Sequence, residues 1–544
     1  MIRIGNASGF YGDRFEAVHE MLTGGDLDVL TGDYLAELTM LILGRQRLAD
    51  PAAGYAKTFL RQLDQSLDAA RGVKIVTNAG GLNPAGLADK IRDLASSRGI
   101  DLKVACVSGD DLLGRGFDGA LTANAYLGAW GIAACLRAGA DIVVTGRVTD
   151  ASLAVGPAAA HFGWRPTDFD QLASATVAGH VIECGTQATG GNFSFFGEID
   201  AQRPGFPIAE VYEDGSSVIT KHDGTGGAVT RETVTAQLLY EIQGADYLGP
   251  DVTTQFDTIA LTDDGPNRVR ISGVRGGPPP ETIKVCVNTL AGFRNSATFV
   301  LCGLDIERKA DLVKRQLGFD GITWTLARTE HEDADTEETA SALLHATVKT
   351  SDPAVAKAFS RATVELALAS YPGFTLTAPP SDGTPVGVYR PEYVDPSVVE
   401  HVAVLPDGTR EPIPWTAGAP VAPRVISVES AKFGATKRLP LGSVIGARSG
   451  DKGGDANLGV WVRDPAAYPW LIGELTVDRL RDLLPETADL PVERHPLPNL
   501  RAVNFVVHGL LGAGVAAATR FDPQAKALGE WLRARHADIP EVFL

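Results

Sequence analysis

Residues able to do chemistry gather in two glycine-rich stretches of this chain. The first, residues 140–196, contains ADIVVTGRVTDAS, a spacer, then GHVIECGTQATGGN. It reads as a buried strand over residues 142–144 that breaks at Gly146 and delivers Arg147, Thr149, Asp150 and Ser152 at its carboxyl end. The second half sets His180, Glu183, Cys184, Gln187, Thr189 and Asn192 among glycines, which let a backbone turn tightly and approach a ligand. Asp150 and Glu183 offer a carboxylate pair for general acid–base work, provided folding brings them together. Cys184 is a candidate nucleophile wherever a base or a helix N-terminus lowers its pKa. His180 could partner either one. VIEC reads as a strand, which argues against pairing His180 with Cys184, because residues four apart meet on a helix and not on a strand. The bland alternative is a tight structural loop with Cys184 as a small buried hydrophobe.

The second stretch, ARSGDKGGDANLG, concentrates Arg448, Ser449, Asp451, Lys452, Asp455 and Asn457. It is too polar and turn-rich for a core. It is either a second part of a site or a surface loop fixed by salt bridges. Whether the two stretches face one cleft is not readable from the sequence.

The elements that must position these residues alternate between short apolar runs and amphipathic helices. The opening run ends at Asn6, with Asp13 beyond it, and a second ends near Asp33, Tyr34 and Glu37. VKIVTNAGGLNPAGL is the clearest strand–loop–helix unit. Asn78, Gly80, Gly81 and Asn83 form its loop, and Pro84 suits a first helical turn. The free N–H groups of such a turn suit phosphate or carboxylate, although the spacing is neither a dinucleotide fingerprint nor a P-loop. A further run ends at Ser108, Asp110 and Asp111. The alternation predicts an α/β fold: a large N-terminal domain with a mostly parallel sheet flanked by helices, plus an α+β portion, and a small C-terminal α+β domain. Ligands bind along the carboxyl edge of such sheets, so the central stretch is expected to share a cleft with Asn6, Asp13, Asn78 and Asp110. The divisions fall at residues 1–403, a Pro/Gly-rich linker or extended arm at 404–440, and a fresh start at 441–544.

Composition narrows the partners. At 544 residues the chain is long enough for several domains. A net charge of −18 argues against nucleic acid, whose phosphates need concentrated Lys and Arg. No apolar run reaches the roughly 18 residues of a membrane helix, and MIRIGNASG lacks a basic start and an apolar h-region, so neither membrane nor secretion is expected. Five dispersed cysteines without CxxC suit a reducing cytoplasm. No cofactor motif is evident. Asp, Glu, Asn and His supply ligand atoms, but no spacing identifies an ion, which leaves a divalent metal open. A homo-oligomer is the default for a chain of this size.

In order along the chain, IGNASGFYGDR, TNAGGLNP, TGRVTDASL, ECGTQATGGNF and ARSGDKGGDANLG resemble the acyclic terpene utilisation protein AtuA family. The resemblance spans nearly the whole sequence. It implies a ferredoxin-like C-terminal domain and a role in breakdown of branched, terpenoid-type acids as acyl-CoA thioesters, alongside biotin-dependent acyl-CoA carboxylases. It carries over no catalytic residues. Joined to the residues themselves, it suggests an enzyme acting on an acyl-CoA or branched carboxylic acid by hydratase or lyase chemistry. Asp150, Glu183, Cys184 and His180 are the catalytic candidates. Asn6, Asp13, Asn78, Gly80, Gly81, Asn83, Arg147, Thr149, Gln187, Asn192, Arg448, Asp451, Lys452 and Asp455 are the binding candidates. The alternatives are a non-catalytic subunit of an acyl-CoA carboxylase assembly and an acyl-CoA thioester hydrolase.

Overall fold

A computed structural model describes all residues except 423 and 425, which lie inside the predicted 404–440 linker. The chain divides into two compact units: Met1–Asn288 with Tyr389–Leu511 and Gln524–Leu544, and Thr289–Val388 with Gly512–Pro523.

The first unit is built on a large mixed sheet. Its centre is parallel and runs, in spatial order, Ile2–Asn6, Val29–Gly32, Lys74–Thr77, Ile142–Thr145 and Val104–Ser108. These are the apolar runs expected to be strands, and nearly every residue in them is buried, as strands covered on both faces must be. Antiparallel strands extend both sides of this block. Pro207–Val211 and Ser217–Lys221 form a hairpin beside Ile2–Asn6. Beyond Val104–Ser108 come Val402–Val404 and Arg410–Pro412, so the start of the 404–440 stretch adds edge strands to the sheet. Gly109 makes that junction workable. It sits at φ +109, and a Cβ there would lie 1.8 Å from the Glu400 carbonyl oxygen.

Helices cover the sheet. Ser152–Phe162 and Phe169–Glu183 pack on one another against it, supplying Leu153, Ala158, Leu172, Val177 and Val181 to the main core. The second helix overturns the strand reading of VIEC. All residues from Leu172 to Glu183 are buried. A helix buried all round has no polar face, so its sequence carries no 3.6-residue signal and Val–Ile imitates a strand.

The C-terminal part of this unit is a four-stranded antiparallel sheet ordered Ile445–Lys452, Asp455–Val462, Ala502–Val507 and Val492–Leu497. Helices Tyr468–Glu474, Val477–Leu483 and Leu528–Ala534 pack on it through Leu471, Leu480, Leu532, Leu458 and Phe505. It is tied to the large sheet's layer at Ser194. That hydroxyl accepts from the Ala447 N–H at 3.1 Å and donates to the Ala447 carbonyl at 2.9 Å.

The second unit pairs residues 293–302 with Ser341–Thr350, and that strand with Ile322–Ala327. Helices Ile306–Leu317 and Pro353–Glu365 bury Val313 and Phe359 against Phe299 and Leu344.

Candidate functional site

The carboxyl ends of the parallel strands converge on a buried polar cluster. Asp33, just past Val29–Gly32, accepts from Asn78 Nδ2 at 2.6 Å, and Asn78 Oδ1 in turn accepts from the Tyr34 N–H at 2.7 Å. Burial first, then the nearby charge of Asp150, pushes the Asp33 carboxyl well up, with Arg147 opposing. Past Ile142–Thr145, Arg147 is 2% exposed. It ion-pairs with Asp150 at 2.5 Å, lies 4.3 Å from the Tyr126 ring centroid, and has no hydrogen-bond partner at Nε. Thr149 Oγ1 and Ser152 Oγ are 2.5 Å apart, fixing the loop after the strand.

The last turn of Phe169–Glu183 brings in the acid–base candidates. His180 Nδ1 and Glu183 Oε1 are 3.0 Å apart, an i,i+3 pair that only a helix creates. His180 Nε2 and Glu183 Oε2 are buried without partners. Burial holds His180 neutral, its pKa down to about 4. Burial and then the charge of Asp150 push Glu183 well above the carboxylate range. Asp150, far from Glu183 in sequence, is therefore close enough to act on the charge of Glu183.

Asn6 holds this turn in place. Its Nδ2 donates to the carbonyls of Ile182 at 2.7 Å, Glu183 at 3.0 Å and Ser8 at 2.9 Å, while its Oδ1 accepts from Thr31. Every polar atom of Asn6 is thus engaged with the protein, and it acts as a positioning residue. Asn6→Ala removes these buried bonds together and should cost about 2–3 kcal/mol, read by chemical denaturation. Stability equal to wild type would remove this role.

The second glycine-rich stretch reaches the same place. Arg448 lies 4.4 Å from the Tyr240 ring and donates to Gln187. Lys452, at the end of Ile445–Lys452, is close enough to Glu241, Glu37, Asp150 and Glu183 for them to raise its pKa. Asp451 pairs with Lys526 at 3.3 Å, and burial lifts it to about 6. The two stretches share one cluster.

Several candidates lie elsewhere or serve the backbone. Asn83 caps the helix Pro84–Ser97 by accepting from the Gly86 N–H at 2.9 Å, so the loop's expected anion role gives way to capping. Gly80 is needed for close packing, since a Cβ there would lie 2.4 Å from the Thr145 carbonyl oxygen, and Gly81 sits at φ +53. Asp13 is used within its own loop by the N–H groups of Gly9 and Arg14. Asn192 is an exposed left-handed turn residue at φ +58. Asp455 bonds His508 and the Gly509 N–H on the small sheet. Cys184 does not suit nucleophilic attack. It sits at the C-terminal end of its helix, where the dipole disfavours a thiolate, and burial together with Glu183 pushes its thiol well up.

The profile of the acyclic terpene utilisation family protein AtuA matches residues 2–405. The chain belongs to the AtuA family. The AtuA ferredoxin-like domain matches residues 439–538, the four-stranded sheet and its helices. Comparison with curated proteins and with solved structures gave no match. Among the described residues, no helix is long and apolar enough to cross a membrane, and no group of three or more His, Cys, Asp or Glu is arranged to hold a metal ion.

This AtuA site also holds residues that sequence reasoning missed. Glu37 accepts from Tyr126 Oη at 2.9 Å. Burial would raise its carboxyl, but Lys284, Arg147 and Lys452 hold it down at about 2. Glu241 has a left-handed backbone at φ +57, and its N–H donates to Asn457 Oδ1 at 2.7 Å. Its position after an unremarkable helix gave no signal. Asp33, Tyr34, Glu37 and Asp110 were visible only as residues past strand ends.

Asp110 gives the site a pH signature. It accepts from Asn124 Nδ2 at 2.8 Å and from the Arg147 N–H at 2.9 Å, yet burial raises it to about 6. A carboxyl raised on folding stabilises the fold only while it is protonated. Its contribution is whole below the unfolded value near 4 and is lost as pH rises toward 6. Asp110→Asn should therefore gain about 3 kcal/mol relative to wild type between pH 4 and pH 7. Denaturation curves that shift in parallel across this window would exclude it.

Proposed function

We propose that this cluster is an acid–base active site acting on a branched or terpenoid-type carboxylic acid, carried as an acyl-CoA thioester or free, by hydratase or lyase chemistry. The observation that carries the reading is the set of buried polar atoms left unpartnered at one place: His180 Nε2, Glu183 Oε2 and Arg147 Nε. Buried polar groups are nearly always satisfied, and three unsatisfied ones beside one another are what a site holding polar substrate atoms would show.

Glu183, kept protonated, is the general acid. It delivers its proton to a leaving hydroxyl and, as carboxylate, recovers one in the reverse direction. Neutral His180 fixes the Glu183 side chain through Nδ1 and offers Nε2 to the substrate. Asp150, half-open and held by Arg147, accepts the proton α to the carbonyl. Arg147 and Lys452 are the cations nearest these carboxyls, and they stabilise the enolate oxygen that proton removal creates. Membership in the acyclic terpene utilisation family supports the substrate class.

The test is a thermal-shift screen against acyl-CoAs and free branched acids, saturated and α,β-unsaturated, followed by mass spectrometry for gain or loss of one water with each compound that stabilises the protein. A ligand that binds only the folded state raises stability with concentration. A shift that vanishes in Asp150→Ala and Glu183→Ala, with turnover in the wild type, supports the reading. No shift with any compound, together with co-purification of a carboxylase subunit, would replace it with the non-catalytic reading.

A further inference from the structure

Lys284 is a basic group of the cluster that neither stretch supplied. It lies in the strand segment 283–288, whose pairing with Thr122–Ala125 fixes its place, and its own carbonyl accepts from the Tyr126 N–H at 2.9 Å. The side chain runs between two aromatic rings. Nζ is 4.7 Å from the Tyr126 centroid and 5.9 Å from that of Tyr389. Tyr389 is held by the glycine-rich hairpin, where a Cβ on Gly453 would come within 2.6 Å of its ring. Among the described residues Lys284 makes no ion pair and no hydrogen bond through Nζ, although part of its surface stays open. Glu37, the nearest acid that acts on it, is already engaged by Tyr126. Lys452 and Arg147 are close enough to oppose its charge.

We propose that Lys284 is an amine nucleophile that forms an imine with the carbonyl of a keto acid or ketone. A lysine that is desolvated and set beside other cations is pushed toward the free amine, and Glu37, the acid that opposes this, is shared with Tyr126, Arg147 and Lys452. Burial, then Lys452, lowers its pKa to about 8. At neutral pH this makes the free amine about two orders of magnitude more abundant than in an ordinary lysine.

The step balances without a redox partner. The Nζ lone pair forms a bond to the carbonyl carbon, and the π pair moves to oxygen, which takes up a proton. That oxygen leaves as water while nitrogen gives up a proton, leaving C=N. The protonated imine then accepts the electron pair of a bond to the adjacent carbon, giving an enamine while the proton or the carbonyl-bearing carbon fragment on the far side of that bond departs, which is the demand of a lyase. The inference rests on reading the cluster as catalytic, but its test needs no acyl-CoA. A failed acyl-CoA screen leaves imine formation standing, and failed labelling leaves the acyl-CoA reading standing.

The experiment uses the full chain at pH 7 with acetoacetate or the uncharged ketone butanone, plus cyanoborohydride, which reduces an imine to a stable secondary amine. Labelled lysines are located by peptide mass spectrometry. In parallel, trace acetylation with acetic anhydride across pH reads the nucleophilicity of each lysine. The expected result is capture at Lys284 at least about tenfold faster than at any other lysine, and acetylation half-maximal near pH 8. Lys284→Arg and Lys284→Met should abolish that label and no other. Labelling of Lys284 no faster than its surface counterparts overturns the proposal. Fast acetylation without capture by either ketone also overturns it, since the amine would then be reactive but unable to form the imine.

Discussion

Arg147→Ala is expected to lower the stability of the protein by about 3–5 kcal/mol, the range for removing one partner of a buried ion pair. The physical case is specific. Arg147 is 2% exposed, pairs with Asp150, and stacks on Tyr126. Its charge also opposes the buried carboxyls of Asp33 and Glu183 and helps hold down Glu37. Removing it strands several acids in a poorly solvated place at once. Arg147→Lys keeps the charge but loses the planar face over the ring, so an intermediate loss is expected. Urea denaturation of the three proteins measures this. A loss under about 1 kcal/mol for the alanine variant would mean that water reaches the cluster freely and that its charges are screened.

Glu183→Gln should reduce turnover of any substrate found in the screen by about 10²–10⁴-fold while leaving the fold intact. Burial and then Asp150 push this carboxyl toward its neutral form, so an amide of the same shape is the closest replacement. The bond to His180 can persist, and stability should change by less than about 1 kcal/mol. The amide cannot give up a proton, so the loss is confined to the chemical step. Turnover unchanged in the variant would remove Glu183 from the mechanism. The split between an intact fold and lost turnover separates this residue from Asn6, whose replacement should weaken both.

Much of the architecture was legible. The parallel strands announced themselves as short apolar runs ending in glycine and polar residues, because a strand buried on both faces leaves no room for polar side chains until it emerges at its end. The same rule placed Arg147, Asp150, Asn78 and Asp33 at one edge. It failed for Phe169–Glu183, where complete burial erased the helical period. With it went the His180–Glu183 pair, which needs i,i+3 geometry. It also failed to sort Asn83 and Asn192 from residues of the buried polar cluster, since a capping or turn asparagine and a cluster asparagine look alike in a glycine-rich loop.

What the amino-acid order determined by itself was local: which runs are strands, which loops follow them, and the family to which five ordered stretches belong. What only the tertiary structure decided was which charges meet. Lys284 sits in TIKVCVNTL as an ordinary outward-facing strand lysine, and nothing nearby in sequence marks it. Chain segments from distant parts of the sequence, at Tyr126, Tyr389 and Lys452, close over it. Protonation of Glu183 depends likewise on Asp150 and on burial by neighbours from another layer. A side chain's charge state is a property of its surroundings, and those surroundings exist only once the chain has folded.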